Sequence, residues 1–101
     1  MGQTSRRKPT KLGDRLLHVR LALGFSQNEM IRHLGLADEL SQSNVSGFER
    51  GVREPSLLVL LRYARVAGVY ADALMDDSVD LPEKLPANSR YEWALPQARR
   101  K

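Results

Sequence analysis

Residues 24–56 of the chain read GFSQNEMIRHLGLADELSQSNVSGFERGVREPS and contain the start and end signals of two short helices. Ser26 and Glu29 have the spacing of a capping box, in which the serine oxygen accepts a backbone N–H and the glutamate bonds back to the serine amide. Gly35 suits the end of that helix, because glycine readily adopts the left-handed conformation of a C-cap. Ser41 suits the cap of the next helix. We therefore expect two consecutive short helices.

The connection between these helices leaves the start of the second one open. Leu36 to Leu40 lie between Gly35 and Ser41, and Asp38 is a second residue able to cap the following helix. That helix ends near Gly51. Its N-terminal half is rich in short polar residues, which are poor helix formers, so local stability does not explain their presence.

Helices are also predicted on both sides of this stretch. Before it, apolar residues recur at the period of one helix face, at Leu12, Leu16, Val19 and Leu23. After it, Pro55 and Ser56 form a break followed by a cap. The apolar positions then predict a fourth, largely buried helix ending at Gly68: Leu57, Leu60, Leu61, Ala64 and Ala67. Residues 72–75 suit a short fifth helix. The expected fold class is all-α, a compact five-helix domain with an irregular C-terminal tail.

The length and charge of the chain favour a small domain with a polyanionic partner. The 101 residues, 42% of them hydrophobic, suffice for one domain with one core. The formal net charge is +4 and the sequence pI is about 9.9, which favours nucleic acid as a partner. Residues 1–53 carry nine basic and five acidic side chains, whereas residues 54–101 carry seven of each. The excess positive charge thus lies in the half with the two short helices.

Composition also argues against several classes of protein. There is no cysteine, so disulfides and cysteine-ligated zinc are excluded. No apolar run approaches the length of about 20 residues that spans a bilayer, and we expect a soluble, cytoplasmic protein. His18 and His33 stand apart from each other, and the acids from Asp76 to Asp80 lack the spacing of a calcium loop. We therefore expect no metal, no cofactor and no enzymatic activity.

The chain divides into three predicted segments. Residues 1–10 are polar and basic and predict a flexible arm, residues 11–76 form the helical domain, and residues 77–101 form the tail. In the tail, three apolar residues alternate with more polar ones: Tyr91, Trp93 and Leu95. This period of two suits a short extended segment with one apolar side. That side either contacts a second copy of the chain or folds onto its own domain.

A set of ordered motifs connects residues 12–75 to a known family. The motifs are Leu16-x-x-Val19-Arg20, Gly24-Phe25-Ser26-Gln27-x-Glu29-Met30, Leu34-Gly35 and Ser41-Gln42-Ser43-x-Val45-Ser46-x-x-Glu49-x-Gly51-x-Arg53-x-Pro55-Ser56. Together they resemble the helix-turn-helix family of Cro and lambda repressor, also called XRE. The resemblance implies a DNA-binding domain of the lambda-repressor type, in which the helix near residues 41–50 enters the major groove.

The resemblance assigns contacts to both parts of DNA. Base contacts are expected from Gln42, Ser43, Asn44 and Gly47. Glutamine and asparagine amides donate and accept together, as the adenine edge requires, and glycine permits close approach. Phosphate contacts are expected from Gln27, at a helix start, and from Arg50 and Arg53. Three residues of the arm would follow a groove or the backbone: Arg6, Arg7 and Lys8. The alternative for all these residues is a solvated surface.

The resemblance also implies a structural ion pair between Arg20 and Glu49. This pair would fix the recognition helix, which is the helix near residues 41–50, to the first helix. The sequence departs from the family pattern in the turn, because Leu36 to Leu40 make it about four residues longer than usual. This longer turn directly precedes the helix near residues 41–50. The first turn of that helix contains three of the four residues that are expected to contact bases.

The expected function is therefore sequence-specific transcription regulation, as a repressor that binds double-stranded DNA as a homodimer. The alternative is a protein-interaction role on the same fold, either an antitoxin that neutralises a toxin partner or an adapter. The tail from Val79 would carry that alternative role.

Overall fold

The computed structural model describes residues 10–87, and within them all regular structure is helical. Five helices follow one another: α1 (Leu12–Leu23), α2 (Gln27–Leu34), α3 (Gln42–Glu49), α4 (Leu57–Ala67) and α5 (Asp72–Met75). The predicted all-α fold class with five helices is confirmed. The predicted arm residues Arg6, Arg7 and Lys8 lie outside the described residues, as do Tyr91, Trp93 and Leu95.

The ends of the two central helices follow the capping chemistry of the sequence. At the start of α2, the Ser26 Oγ accepts the Glu29 amide at 3.0 Å, and the Glu29 carboxylate accepts the Ser26 amide at 2.7 Å. This hydrogen bond from the Ser26 backbone lowers the pKa of Glu29. Gly35 follows α2 with φ 74°, a conformation that a residue with a Cβ adopts only with strain. These caps fix α2 to eight residues.

The connection between α2 and α3 is a closed turn rather than an open loop. The Leu36 carbonyl accepts the amides of Glu39, at 3.0 Å, and Leu40, at 2.9 Å. The Leu36 side chain is buried and belongs to the hydrophobic core. Ser41, not Asp38, caps α3, since its Oγ accepts the Asn44 amide. The additional residues therefore extend the turn without displacing the start of α3.

The core lies between α1 and the other helices. One face of α1 is buried, and α3, α4 and α5 all pack against this helix. The side chains that meet there include Leu16, Val19, Phe48, Tyr63 and Leu74. The approach of α3 is close: a Cβ on Gly13 would lie 2.9 Å from the Phe48 carbonyl oxygen.

The predicted burial of α4 is wrong for two leucines. Leu57 is 76% exposed and Leu61 is 42% exposed, although both were expected to face the core. The buried face instead includes Val59 and Tyr63 together with Leu60. The reason lies in the sequence: an uninterrupted apolar run from Leu57 to Leu61 places apolar side chains all round the helix, and one face alone packs on the core.

Arg15 fixes the segment after α5 to α1. Its buried guanidinium donates hydrogen bonds to the carbonyls of Ala73 (2.9 Å), Asp76 (2.8 Å) and Val79 (2.6 Å). Farther on, Leu85 is buried in the core. The described part of the predicted tail thus includes residues that pack on the helical domain.

Candidate nucleic-acid interface

The starts of α2 and α3 lie side by side and expose amide side chains. The Nε2 of Gln42, in the first turn of α3, donates to the Oε1 of Gln27, in the first turn of α2, at 3.1 Å. Gln42 and its neighbour Ser43 are exposed, and Gln27 is half-buried. Two residues that are 15 positions apart in the sequence are therefore joined at one surface.

A continuous chain of hydrogen bonds connects this surface to the core. Arg20 of α1 forms a bidentate ion pair with Glu49 at the end of α3, with Nε–Oε2 at 2.7 Å and Nη2–Oε1 at 3.0 Å. The Oε1 of Glu49 also accepts the Nε2 of Gln27 at 3.1 Å. The Oε1 of Gln27 in turn accepts a hydrogen bond from the Nε2 of Gln42. The charge-assisted hydrogen bonds of the Arg20–Glu49 pair thus help to orient the neutral amide of Gln42 at the surface, through Gln27.

The network favours the charged form of Arg20. Hydrogen bonding to the Glu49 carboxylate raises the pKa of Arg20 above its ordinary value. Tyr63 of α4 is buried close to both groups, and its burial raises the pKa of its hydroxyl. That hydroxyl has no hydrogen-bond partner among residues 10–87. Tyr63 is absent from the predicted site, although its spacing of three from buried Leu60 already indicates the core face of α4.

Gln42 retains the groups that a base contact requires. An amide nitrogen carries two hydrogens and the amide oxygen accepts two hydrogen bonds. The bond to Gln27 uses one hydrogen of Gln42, so one hydrogen and the oxygen remain for a paired contact. This donor and acceptor match the N7 and N6 groups of adenine in the major groove.

Asn44 takes part in the cap of α3. Its Oδ1 accepts hydrogen bonds from the Ser41 amide at 2.9 Å and the Ser41 hydroxyl at 3.1 Å. The cap therefore uses the Oδ1 of Asn44 as its acceptor. The hydrogens on the Nδ2 of Asn44 take no part in these two hydrogen bonds. A paired contact of Asn44 with adenine requires loss of the cap, whereas donation to a base or phosphate oxygen does not.

Gly47, Arg50 and Arg53 lie near the end of α3. Gly47 is buried, and a Cβ placed on it would lie 3.0 Å from the Cβ of Arg53. The close approach at Gly47 is therefore to the chain that follows α3. Arg50 is exposed and its Nε donates to the Ser46 hydroxyl at 3.2 Å. Arg53 is also exposed. Both guanidinium groups have further N–H donors that can bind phosphate.

Histidine and carboxylate side chains are dispersed over the described residues. Within residues 10–87 no three histidine or carboxylate side chains gather as a metal would require. None of the helices in this part of the chain has the length and apolarity to cross a membrane. His18 bonds to the Glu83 carbonyl at 3.0 Å, and His33 stacks on Phe25 with ring centroids 4.0 Å apart. Each histidine thus has a contact within the fold.

Two short helices, the second with an exposed polar start held by the first, define a helix-turn-helix unit. Comparison with protein families agrees, because the chain matches the family described as helix-turn-helix domain over residues 11–77, about two thirds of its length. The chain belongs to this family, and its membership indicates a DNA-binding regulator. Comparisons with curated proteins and with solved structures gave no significant match.

Proposed function

We propose that the protein is a sequence-specific transcription regulator that places α3 in the major groove of double-stranded DNA and acts as a repressor. The exposed amide of Gln42, held by Gln27, is the observation that carries this proposal. A side chain fixed before binding loses less conformational freedom in the complex. The groove is about 12 Å wide and admits one helix, whose N-terminal residues reach the base edges.

The proposed base contacts are of two kinds, a paired contact from one amide and single hydrogen bonds from two other side chains. Gln42 makes a paired contact to adenine, and the Ser43 hydroxyl, which both donates and accepts, bonds to a neighbouring base. Asn44 keeps its cap and donates from Nδ2 to an acceptor such as guanine O6 or thymine O4. We propose no base contact for Gly47, because Arg53 lies against the position that its Cβ would occupy.

The phosphate contacts surround this surface. Gln27 lies in the first turn of α2, where free backbone N–H groups favour an anion. Arg50 and Arg53 provide positive charge after α3. In this proposal the basic arm adds further contacts through Arg6, Arg7 and Lys8. We further propose that the protein acts in the cytoplasm as a homodimer, since one short helix reads few base pairs and a pair of helices about 34 Å apart reads two half-sites.

The test is in vitro selection of bound DNA from a random pool, followed by titration of the selected site at several salt concentrations. We expect a two-fold symmetric consensus. We also expect affinity to fall with salt at a log–log slope of about −0.9 per neutralised phosphate. Absence of enrichment and of binding at low salt would contradict DNA binding and favour a toxin-neutralising or adapter role.

A further inference from the structure

Asp77, in the segment after α5, holds the chain that leads into α1. Its carboxylate accepts hydrogen bonds from the Thr10 amide at 2.9 Å, the Thr10 hydroxyl at 2.8 Å and the Lys11 amide at 3.1 Å. The Lys11 Nζ also donates to the backbone carbonyl of Asp77 at 3.3 Å. These bonds join residues that are 66 or 67 positions apart in the sequence. Thr10, the last residue of the predicted arm, is therefore attached to the domain.

The start of α1 favours an acid at this place. Lys11 is the N-cap residue of α1, and its side chain makes no capping hydrogen bond. The first amides of a helix have no partner within the helix, and the helix dipole favours a negative charge near them. The hydrogen bonds from the backbone and hydroxyl of Thr10 lower the pKa of Asp77 below its ordinary value. The carboxylate is therefore in its charged form at neutral pH.

The backbone around Asp77 is itself held in place. The buried Arg15 guanidinium donates to the carbonyls of Asp76 at 2.8 Å and Val79 at 2.6 Å. The Oδ1 of Asp76 accepts the amide of Ser78 at 2.9 Å and its hydroxyl at 2.6 Å. A side chain on a backbone that is already ordered forms its hydrogen bonds at a smaller cost in conformational entropy. The folded domain thus provides a fixed point for the attached end of the arm.

This fixed point lies beside a proposed phosphate contact. Thr10 lines a cleft between the start of α1 and the chain that follows α3. The lining on the side of that chain includes Gly51, Arg53 and Glu54. Arg53 is exposed, and it is one of the residues for which we propose a phosphate contact. The arm is therefore attached on the side of the domain where α3 ends.

The distance along the chain from Thr10 limits where the cations of the arm can bind. An extended chain advances at most about 3.6 Å per residue. The Cα of Lys8 therefore lies within about 7 Å of that of Thr10, and the Cα of Arg6 within about 14 Å, whatever path the chain takes. Phosphates on one DNA strand follow each other at about 3.4 Å along the axis, so this reach covers about four of them. The cations of the arm are thus confined to phosphates close to those of Arg53.

We propose that Asp77 is a positioning residue for DNA binding, which directs the basic arm to the phosphates beside Arg53 because it holds Thr10 and Lys11. The proposal rests on the DNA-binding function above. An arm with a fixed end loses less conformational freedom when it binds. Without Asp77 the point of attachment moves back to α1 itself, and the same cations must be ordered from a wider set of positions. Asp77 thus acts through the arm and makes no contact of its own with DNA.

Charge alone and the proposal predict opposite effects of Asp77→Ala. Loss of an acidic side chain makes the protein more positive, which by itself favours binding to DNA. The proposal predicts instead that the full chain binds its selected site about three- to tenfold more weakly. The salt slope should also become shallower by about one unit, because phosphate contacts of the arm are lost.

The matched control is Asp80→Ala. This variant removes an exposed acid from the same segment and leaves the carboxylate of Asp77 in place. It should bind the selected site at least as tightly as the wild type. An Asp77→Ala variant that binds as tightly as Asp80→Ala would overturn the proposal.

A double-mutant cycle separates positioning of the arm from an effect on the fold. The arm variant combines three changes, Arg6→Gln, Arg7→Gln and Lys8→Gln. In this background Asp77→Ala should weaken binding by less than about twofold, because no charge remains to be positioned. A loss of affinity that is equal in both backgrounds would show that Asp77 acts through the fold alone, and would overturn the proposal.

Hydrogen exchange of the Thr10 and Lys11 amides, followed by NMR on the free protein, tests the attachment itself. Both amides should exchange more slowly in the wild type than in Asp77→Ala. Equal rates in the two proteins would contradict the attachment and with it the proposal. Failure of the wild type to bind DNA at low salt contradicts the regulator role, whereas an additive cycle in a chain that binds DNA contradicts the positioning role alone.

Discussion

Glu49 accepts hydrogen bonds from both Arg20 and Gln27, although its side chain is only 6% exposed. A carboxylate this deeply buried is stabilised only when its partners satisfy its oxygen atoms. In this protein the partners are a cation from α1 and an amide from α2. A single residue at the end of α3 therefore both holds the helix in place and positions the neighbouring Gln27.

We expect Glu49→Ala to lower the free energy of unfolding by about 3–5 kcal/mol, because it leaves the Arg20 guanidinium, itself only 14% exposed, without its counterion. Urea denaturation followed by circular dichroism measures this change. The control is the double variant Arg20→Leu with Glu49→Leu, which removes both charges and should lose less stability than Glu49→Ala. A loss below about 1 kcal/mol in Glu49→Ala would show that the pair does not hold α3 to α1.

At the scale of elements, α3 depends on the close approach of its end to α1. A Cβ on Gly13 would lie 2.9 Å from the Phe48 carbonyl and 3.0 Å from the Glu49 carbonyl. Both atoms belong to the backbone and cannot move without displacing the helix. The small residue at this position is therefore required by packing, not by helix formation.

Gly13→Ala separates these two effects. Helix propensity alone predicts a gain of about 1 kcal/mol, whereas contact with backbone atoms costs about 1–3 kcal/mol. We expect the contact to prevail, with a net loss of up to about 2 kcal/mol in the free energy of unfolding, measured by thermal or urea denaturation. Gly47→Ala is the matched comparison, since Gly47 also lies within a helix but its Cβ would meet the Arg53 side chain at 3.0 Å. It should lose less, and a stabilised Gly13→Ala would contradict the close crossing.

For the molecule as a whole, we expect stability to depend on pH through His33. The His33 side chain is exposed but stacks on Phe25, and the desolvation of its ring lowers the pKa of His33 below its ordinary value. The unfolded chain therefore binds more protons than the folded chain between the two pKa values, so stability decreases as pH falls through that interval. The decrease should begin near pH 6.5, the ordinary pKa of histidine.

Thermal unfolding measured from pH 8 to pH 5 tests this dependence. His33→Gln should have a flatter profile between pH 7 and pH 5 than the wild type. The matched control is His18→Gln, since His18 lies on another helix and contacts the Glu83 carbonyl. If His33→Gln retains the full wild-type slope, the dependence arises from other groups.

Helix bounds were predictable from the sequence because their signals are local. Ser26, Ser41 and Ser56 cap the three helices for which they were expected, and Gly35 and Gly68 follow two of them. Each signal involves residues within one turn of each other, so it can be recognised without knowledge of the tertiary structure.

The features that could not be predicted depend on tertiary structure. The run from Leu57 to Leu61 is apolar in every direction, so its pattern does not indicate which leucines face the core. The contact between Gln27 and Gln42 depends on the path of an extended turn whose geometry the sequence does not specify. Asn44 suits both a cap and a base contact, and only the folded chain shows that its oxygen bonds to Ser41.

The most direct test of DNA reading by α3 is the affinity ratio between the selected site and a scrambled site, measured for the wild type and for Gln42→Ala at two salt concentrations. Loss of a paired base contact should reduce this ratio by the equivalent of about 1–3 kcal/mol. Arg50→Ala is the control, which should weaken binding to both sites equally and make the salt slope shallower by about one unit. If Gln42→Ala instead keeps the wild-type ratio, α3 does not read the bases through Gln42.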